Sequence, residues 1–214
     1  MSRVLSTPAA HGLLVLLLCA PLLWLGWAIA QEALAPGSVL GADPADAVVD
    51  YLGHWSLRLL LVALAISPLR RLLGVPAIGR FRRTAGLIAF GTVVCHLLAY
   101  ALLLNGLDLT VLVEDLTERR YIIAGMVAVV LLIPLAVTST RGWQRRLRKR
   151  WQTLHRLVFP AMGAALLHLF WLTKDGFGEP LFYAAVFAAL LIERIVSYRR
   201  RPTIASVARG EVPA

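Results

Sequence analysis

Of 214 residues only two are cysteine, Cys19 and Cys95, and both fall inside apolar runs. Neither a disulfide framework nor a thiolate metal site is indicated by that count and placement. Acidic residues are also scarce, 12 against 22 lysines and arginines, and none stands at the centre of a long apolar run. That argues against a proton- or ion-coupled transporter, which needs carboxylates at mid-membrane and paired broken helices. The chain has no P-loop, no G-x-G-x-x-G, no internal repeat, and no room for a soluble nucleotide-binding or flavoreductase domain. What it has is apolar residue: 59% of the chain is hydrophobic, and the mean hydropathy is +0.74. These residues are gathered in runs long enough to span lipid, so the chain is an integral membrane protein. The net charge of +10 does not imply nucleic acid, because the basic residues sit in short clusters between the apolar runs.

Six crossings are expected. The first covers residues 12–30; Ala28-Ile29-Ala30 resembles a signal-peptidase site, but the run exceeds the roughly 7–15 residues of a signal core, which favours a retained helix. Gln31 to Gly53, with Asp43, Asp46 and Asp50, reads as a loop. Tyr51–Leu69 is the second crossing, interrupted by Arg58 and closed by Pro68; Arg58 is expected to snorkel, the other possibility being an anionic cofactor group. Thr84–Leu104 is the third and Tyr121–Thr138 the fourth, with Pro134 as a kink site. The loop between them carries Asp108, Glu114, Asp115 and Glu118. Trp151–Leu172 is the fifth and Pro180–Ser197 the sixth.

Charge orients this all-α, six-helix bundle. With both termini cytoplasmic, the outside loops hold only Arg119, Arg120 and Lys174 of the basic residues, while ten of the twelve acids lie outside. The organisation is then a cytoplasmic N-terminus (1–11), a transmembrane domain (12–198), and a cytoplasmic basic tail (199–214) whose small, polar composition predicts disorder.

The chain is organised around the fifth crossing, WQTLHRLVFPAMGAALLHLFWL, which carries His155 and His168. At ~1.5 Å per residue this helix is roughly 33 Å long, with the imidazoles about 20 Å apart along it. Histidine in hydrocarbon marks a functional site by default, and without acidic neighbours its chemistry points to haem iron. The bland alternative is a histidine bonded to a neighbouring helix. His96, about 20 Å up the third crossing from Arg83, matches His168 in depth. Two facing helices offering a neutral imidazole at one level predict bis-histidine ligation of a b-type haem. Because Cys95-His96 is not C-x-x-C-H, that haem is expected to be non-covalent. His155 lies near the other face, where the third crossing offers Arg82 and Arg83 instead of a second histidine. Those arginines suit haem propionates, and His155 itself suits an inner haem, a quinone or flavin contact, or a helix-start cap. One geometric obstacle stands: 13 residues at ~100° leave His155 and His168 about 220° apart around a straight helix, and Pro160 is the available kink. His54 and His11 are expected to be interfacial.

Several stretches together resemble the MsrQ family, within the wider ferric-reductase-like transmembrane proteins. They are Gly41-Ala42-Asp43-Pro44, Ser67-Pro68-Leu69-Arg70, Arg82-Arg83-Thr84-Ala85-Gly86-Leu87 with His96 downstream, Leu135-Ala136-Val137-Thr138-Ser139-Thr140, and Trp151-Gln152-Thr153-Leu154-His155-Arg156. The resemblance implies that His96, His155 and His168 are the haem-associated histidines, with one haem b or two, and an FMN for which the sequence offers no locating motif. It also implies a bacterial inner-membrane protein passing electrons from the quinone pool to a periplasmic molybdopterin-containing methionine sulfoxide reductase subunit. Relative to larger ferric reductases and NADPH oxidases, the sequence lacks the second third-helix histidine and the cytoplasmic FAD/NADPH domain. The competing readings are a histidine-containing transporter or proton pathway, and a structural membrane anchor.

Overall fold

The computed structural model describes residues 7–174 and 176–199, and the structural statements below concern those residues. They form helix almost throughout, and six segments are long and apolar enough to cross a membrane. The first is α1, Pro8–Leu34, and the second α2, Pro44–Leu72. The third runs from Pro76 to Leu104: a 3-10 turn over Pro76–Arg80, then α3, Phe81–Ala99, then a π turn over Tyr100–Leu104. A short helix, α4 (Leu109–Glu118), precedes the fourth crossing, α5 (Arg120–Val137). Another, α6 (Arg141–Leu147), precedes the fifth, which is built from α7 (Lys149–Leu154), a 3-10 turn over His155–Leu157, and α8 (Val158–Leu172). The sixth crossing is α9, Gly178–Arg199. The tail from 200 onward and Asp175 of the last loop lie outside the described residues.

The helices start where polar caps meet proline. Thr7 Oγ1 accepts from the Ala10 N–H ahead of Pro8, and an Asp43 carboxylate oxygen accepts from the Asp46 N–H ahead of Pro44. Each cap satisfies an otherwise orphaned donor, and proline loses nothing at a first helical position. These caps explain why the helices overrun the boundaries that hydropathy suggests. α2 begins at Pro44, so Asp46 and Asp50 are helical instead of forming loop, and it continues beyond Pro68 to Leu72. The acidic stretch after the third crossing is also a helix. Within it Asp115 is buried, accepting from the Tyr100 hydroxyl and pairing with Arg119 Nε at 2.7 Å.

Lipid-facing surface is plain in α1, where Leu13, Leu16, Leu17 and Leu23 are each about 60% exposed. A soluble monomer does not display such a stripe. The inner faces pack in two intimate pairs, α2 with α3 and α5 with α8, while far fewer contacts join one pair to the other. Small residues let helices approach closely: Ala85, Ala89 and Thr92 on α3 and Ala161 on α8 are essentially fully buried, as is Met162. The looser seam between the two pairs forms a slot. One end of the bundle carries Arg70, Arg80, Arg83 and Arg141–Arg150, and is here named the basic end; the other carries Asp43, Asp50, Asp115 and Glu179, the acidic end.

The last helix is fastened at both ends by ion pairs. At the acidic end Arg58 Nε donates to the Tyr183 hydroxyl at 2.7 Å and Glu179 lies 3.5 Å from the same guanidinium, while His54 Nε2 meets Glu179 at 3.1 Å. At the basic end Arg71 forks onto Glu193. Arg58 therefore reaches across to α9 instead of snorkelling outward: a carboxylate one helix away offers more than the interface does.

Candidate functional site

His96 on α3 and His168 on α8 come together at the acidic end of the slot, ring centres 6.3 Å apart and ring planes 79° apart. Both are half-buried. Each ring is fixed by a neighbour in its own helix pair: His96 Nδ1 donates to the Val49 carbonyl on α2 at 3.0 Å, and His168 Nδ1 donates to the Tyr121 carbonyl on α5 at 2.6 Å. A carbonyl can only accept, so the proton sits on Nδ1 and the lone pair is left on Nε2. A metal-ligating histidine is ordinarily held in this way.

Two glycines make this possible. A β-carbon at Gly53 would stand 3.1 Å from His96 Cε1, and one at Gly125 would stand 2.9 Å from His168 Nδ1. The intimate packing within each pair thus seats an imidazole directly against bare backbone. Gly125→Ala must displace a ring already held by a short hydrogen bond, at a cost of about 1–3 kcal/mol. We expect it to weaken the low-spin haem band at matched protein concentration, with Gly53→Ala doing so less; equal, wild-type bands in both would count against the seating role.

The pair fits a haem iron. Two metal–imidazole bonds of about 2 Å, plus roughly 1 Å from each nitrogen to its ring centre, place the ring centres roughly 6 Å apart. Among the described residues no group of three or more His, Cys, Asp or Glu converges to hold a bare ion. The donor set is two neutral imidazoles in apolar surroundings, which suits a metal that brings its remaining ligands with it.

His155 sits at the basic end of the same slot. Its Nδ1 donates to the Trp151 carbonyl at 3.1 Å, and its ring stacks on the Trp151 indole with centres 3.9 Å apart. The indole Nε1 donates in turn to the Thr138 carbonyl at 2.9 Å. Two of the stretches that carry the family resemblance, around Thr138 and around Trp151, therefore meet to hold this one imidazole, again with Nδ1 protonated. The rotational obstacle is partly removed by the 3-10 turn over His155–Leu157, just before Pro160, whose ring rejects the carbonyl four residues back. Three residues at ~120° instead of ~100° add about 60°, bringing the two rings to about 80° apart instead of about 140°.

Of the two arginines opposite, Arg82 is half-buried and close enough for its charge to act on the His155 ring. It shares that corner with Arg70, Arg71 and Arg194, balanced by Glu193. Arg83 lies on another side of α3 and lines a separate cavity with His11. His54 pairs with Asp50 and Glu179. The sequence alone does not single out Val49, Gly53, Tyr121, Gly125 or the indole of Trp151. Two are glycines whose worth is a close approach, and two act through backbone carbonyls that any residue carries; only Trp151, four residues before His155, had a readable signal.

Comparison with known proteins gives the family. Residues 52–166, which contain His96 and His155, match the ferric reductase like transmembrane component. A Caulobacter vibrioides protein is 45% identical over 192 residues, 89% of this chain and 88% of its own length. One from Xanthomonas axonopodis pv. citri is 44% identical over 191 residues, covering 89% and 87%. One from Xanthomonas campestris pv. campestris (strain 8004) is 41% identical over 214 residues, covering 100% of this chain and 95% of its own. All three are named protein-methionine-sulfoxide reductase heme-binding subunit MsrQ. No solved structure matches. With six apolar crossings, the ferric-reductase-like core and relatives alike over nearly their whole length, the chain belongs to the MsrQ family.

Proposed function

We propose that the protein is a membrane b-type cytochrome. In this reading His96 and His168 hold a haem b, and the chain carries electrons from the quinone pool, or from a flavin donor, across the bacterial inner membrane. The acceptor is a periplasmic molybdopterin-containing methionine sulfoxide reductase subunit that repairs oxidised proteins. The observation that carries the reading is the His96–His168 pair, two imidazoles from different helices with Nδ1 pinned to backbone and Nε2 left for a metal. The relatives' shared name, heme-binding subunit of a methionine sulfoxide reductase, supports both the cofactor and the class of partner.

Held by His96 and His168, haem would supply a one-electron carrier. The rest is done by the chain. It holds each ring in one tautomer through a backbone carbonyl and seats it against glycine. At the basic end the excess of arginine around Arg82 favours an anionic group beside His155, whether the propionates of a second haem, the phosphate of FMN or a reduced quinone. His155 is then the contact for electron entry.

The test is spectroscopic: the purified protein has a Soret band that sharpens on dithionite reduction, with at least one haem per chain. A colourless preparation containing folded protein rules the cytochrome out. We assign the basic end to the cytoplasm from the charge asymmetry. Reporter fusions after Ser38 and Asp115 are expected to report the outside, and fusions after Gly142 or Arg201 the inside; an outside signal after Gly142 overturns the topology.

A further inference from the structure

Asp115 has no part in the site described above, yet it is only 4% exposed, on a short helix whose other acids, Glu114 and Glu118, face outward. Burying a carboxylate is costly unless it is paired and hydrogen-bonded. Both of its oxygens are engaged: the Tyr100 hydroxyl donates to Oδ2, and Arg119 Nε lies 2.7 Å from Oδ1.

These two partners belong to different halves of the bundle. Tyr100 opens the π turn that ends the third crossing, four residues beyond His96 and so on the same side of that segment. Arg119 is the single extended residue, φ −96° and ψ 103°, between α4 and α5. Its Nη1 donates to the Tyr121 hydroxyl at 3.1 Å, and Tyr121 is the residue whose carbonyl accepts from His168 Nδ1. The Tyr121 ring also lies against that imidazole, with centres 6.0 Å apart. With one residue separating the two helices, fixing α4 fixes the first turn of α5.

A continuous chain of contacts thus runs from the helix of one imidazole to the ring of the other, through Tyr100, Asp115, Arg119 and Tyr121. Its place matters. Each ring is bonded to a carbonyl of its own helix pair, so those bonds alone do not set one ring against the other across the looser seam. A buried ion pair that merely pinned α4 would need no such connection to Tyr121.

We propose that Asp115 is a positioning residue for the haem ligands, tying Tyr100 to Arg119 across the seam and so setting the angle between the His96 and His168 rings. The proposal rests on the cytochrome reading. Asp115 acts through Tyr100 and Tyr121 and is not itself a ligand.

The test uses the full-length purified holoprotein and electron paramagnetic resonance of its ferric state, because the anisotropy of a low-spin bis-imidazole signal follows the angle between the two ring planes. Haem loss to excess apomyoglobin is measured alongside. In Asp115→Ala the g values are expected to shift or spread, and haem loss to quicken about tenfold, the lower end of the scale on which supporting groups act at metal ligands. Tyr100→Phe, which deletes one hydroxyl and keeps the ring, shifts the signal in the same direction by less. Asp115→Asn, whose amide oxygen still accepts from Tyr100, stays nearer wild type. The control is Asp108→Ala: Asp108 Oδ1 caps α4 by accepting the Thr110 N–H at 2.8 Å, so its loss loosens the same helix without cutting the tie, and the g values stay as in wild type. Should Asp115→Ala fail to fold, Tyr100→Phe decides alone. Unchanged g values in the deciding variant, with only thermal stability lowered, overturn the positioning role and leave the cytochrome reading standing; equal shifts in the Asp108 control do the same. A wild type that folds without a low-spin ferric signal overturns the cytochrome reading and this proposal with it.

Discussion

His96→Ala and His168→Ala are each expected to abolish the bis-histidine low-spin spectrum completely. The two imidazoles come from different helix pairs, α2/α3 and α5/α8, and His54, the other histidine at that end, is engaged with Asp50 and Glu179. Loss of either leaves five-coordinate or unbound haem. His54→Ala, which disturbs the Asp50/Glu179 network at the same end of the bundle, is the matched control and keeps the low-spin band. Ligand loss can also be distinguished from poor loading by adding imidazole, which fills the vacated position in either variant. If both variants keep the wild-type spectrum, the pairing is wrong.

The fold was readable because lipid imposes simple rules. Backbone groups in hydrocarbon must be bonded within the segment, so each long apolar run is a helix, and six such runs emerge as six crossings. What hydropathy misplaced lies at helix ends, where capping chemistry decides. Asp43 with Pro44 starts α2 about two turns before its apolar stretch, and Asp108 starts a helix in what composition alone presents as loop. Arg58 was misplaced for another reason: its partner Glu179 is 121 residues away, and a charge with a distant partner is indistinguishable in sequence from one that seeks water.

The site was legible to the extent that depth alone determines it. His96 and His168 could be matched by counting residues from one membrane face, and they meet as that count requires. Rotation about the helix axis was not legible in the same way. A straight helix sets His155 and His168 on different faces, and the 3-10 turn ahead of Pro160 that narrows the difference is a local backbone adjustment. The sequence presents Pro160 but not the form of its effect. Nor does it present the carbonyls of Val49 and Tyr121, which fix the ring tautomers and depend entirely on which helices pair.

That local adjustment gives His155 a role that can be isolated from the outer pair. It lies about 20 Å from His168 along the crossing. His155→Ala is therefore expected to leave the low-spin signature of the outer haem largely intact. What falls is the rate at which a quinol or reduced-flavin donor reduces that haem, by on the order of tenfold, the scale on which supporting groups act at metal and electron-transfer sites. Trp151→Ala removes both the indole stacked on the ring and its bond to the Thr138 carbonyl, so its loss is expected to be smaller but of the same kind. Trp151→Phe keeps a stacking face and recovers part of the rate. Dithionite, which needs no entry site, reduces all of these variants as fully as wild type. A purely structural His155 would instead lower haem content or thermal stability and leave donor-driven kinetics unchanged once haem is matched. Unchanged kinetics at equal loading therefore refute the entry role while leaving the His96–His168 centre untouched.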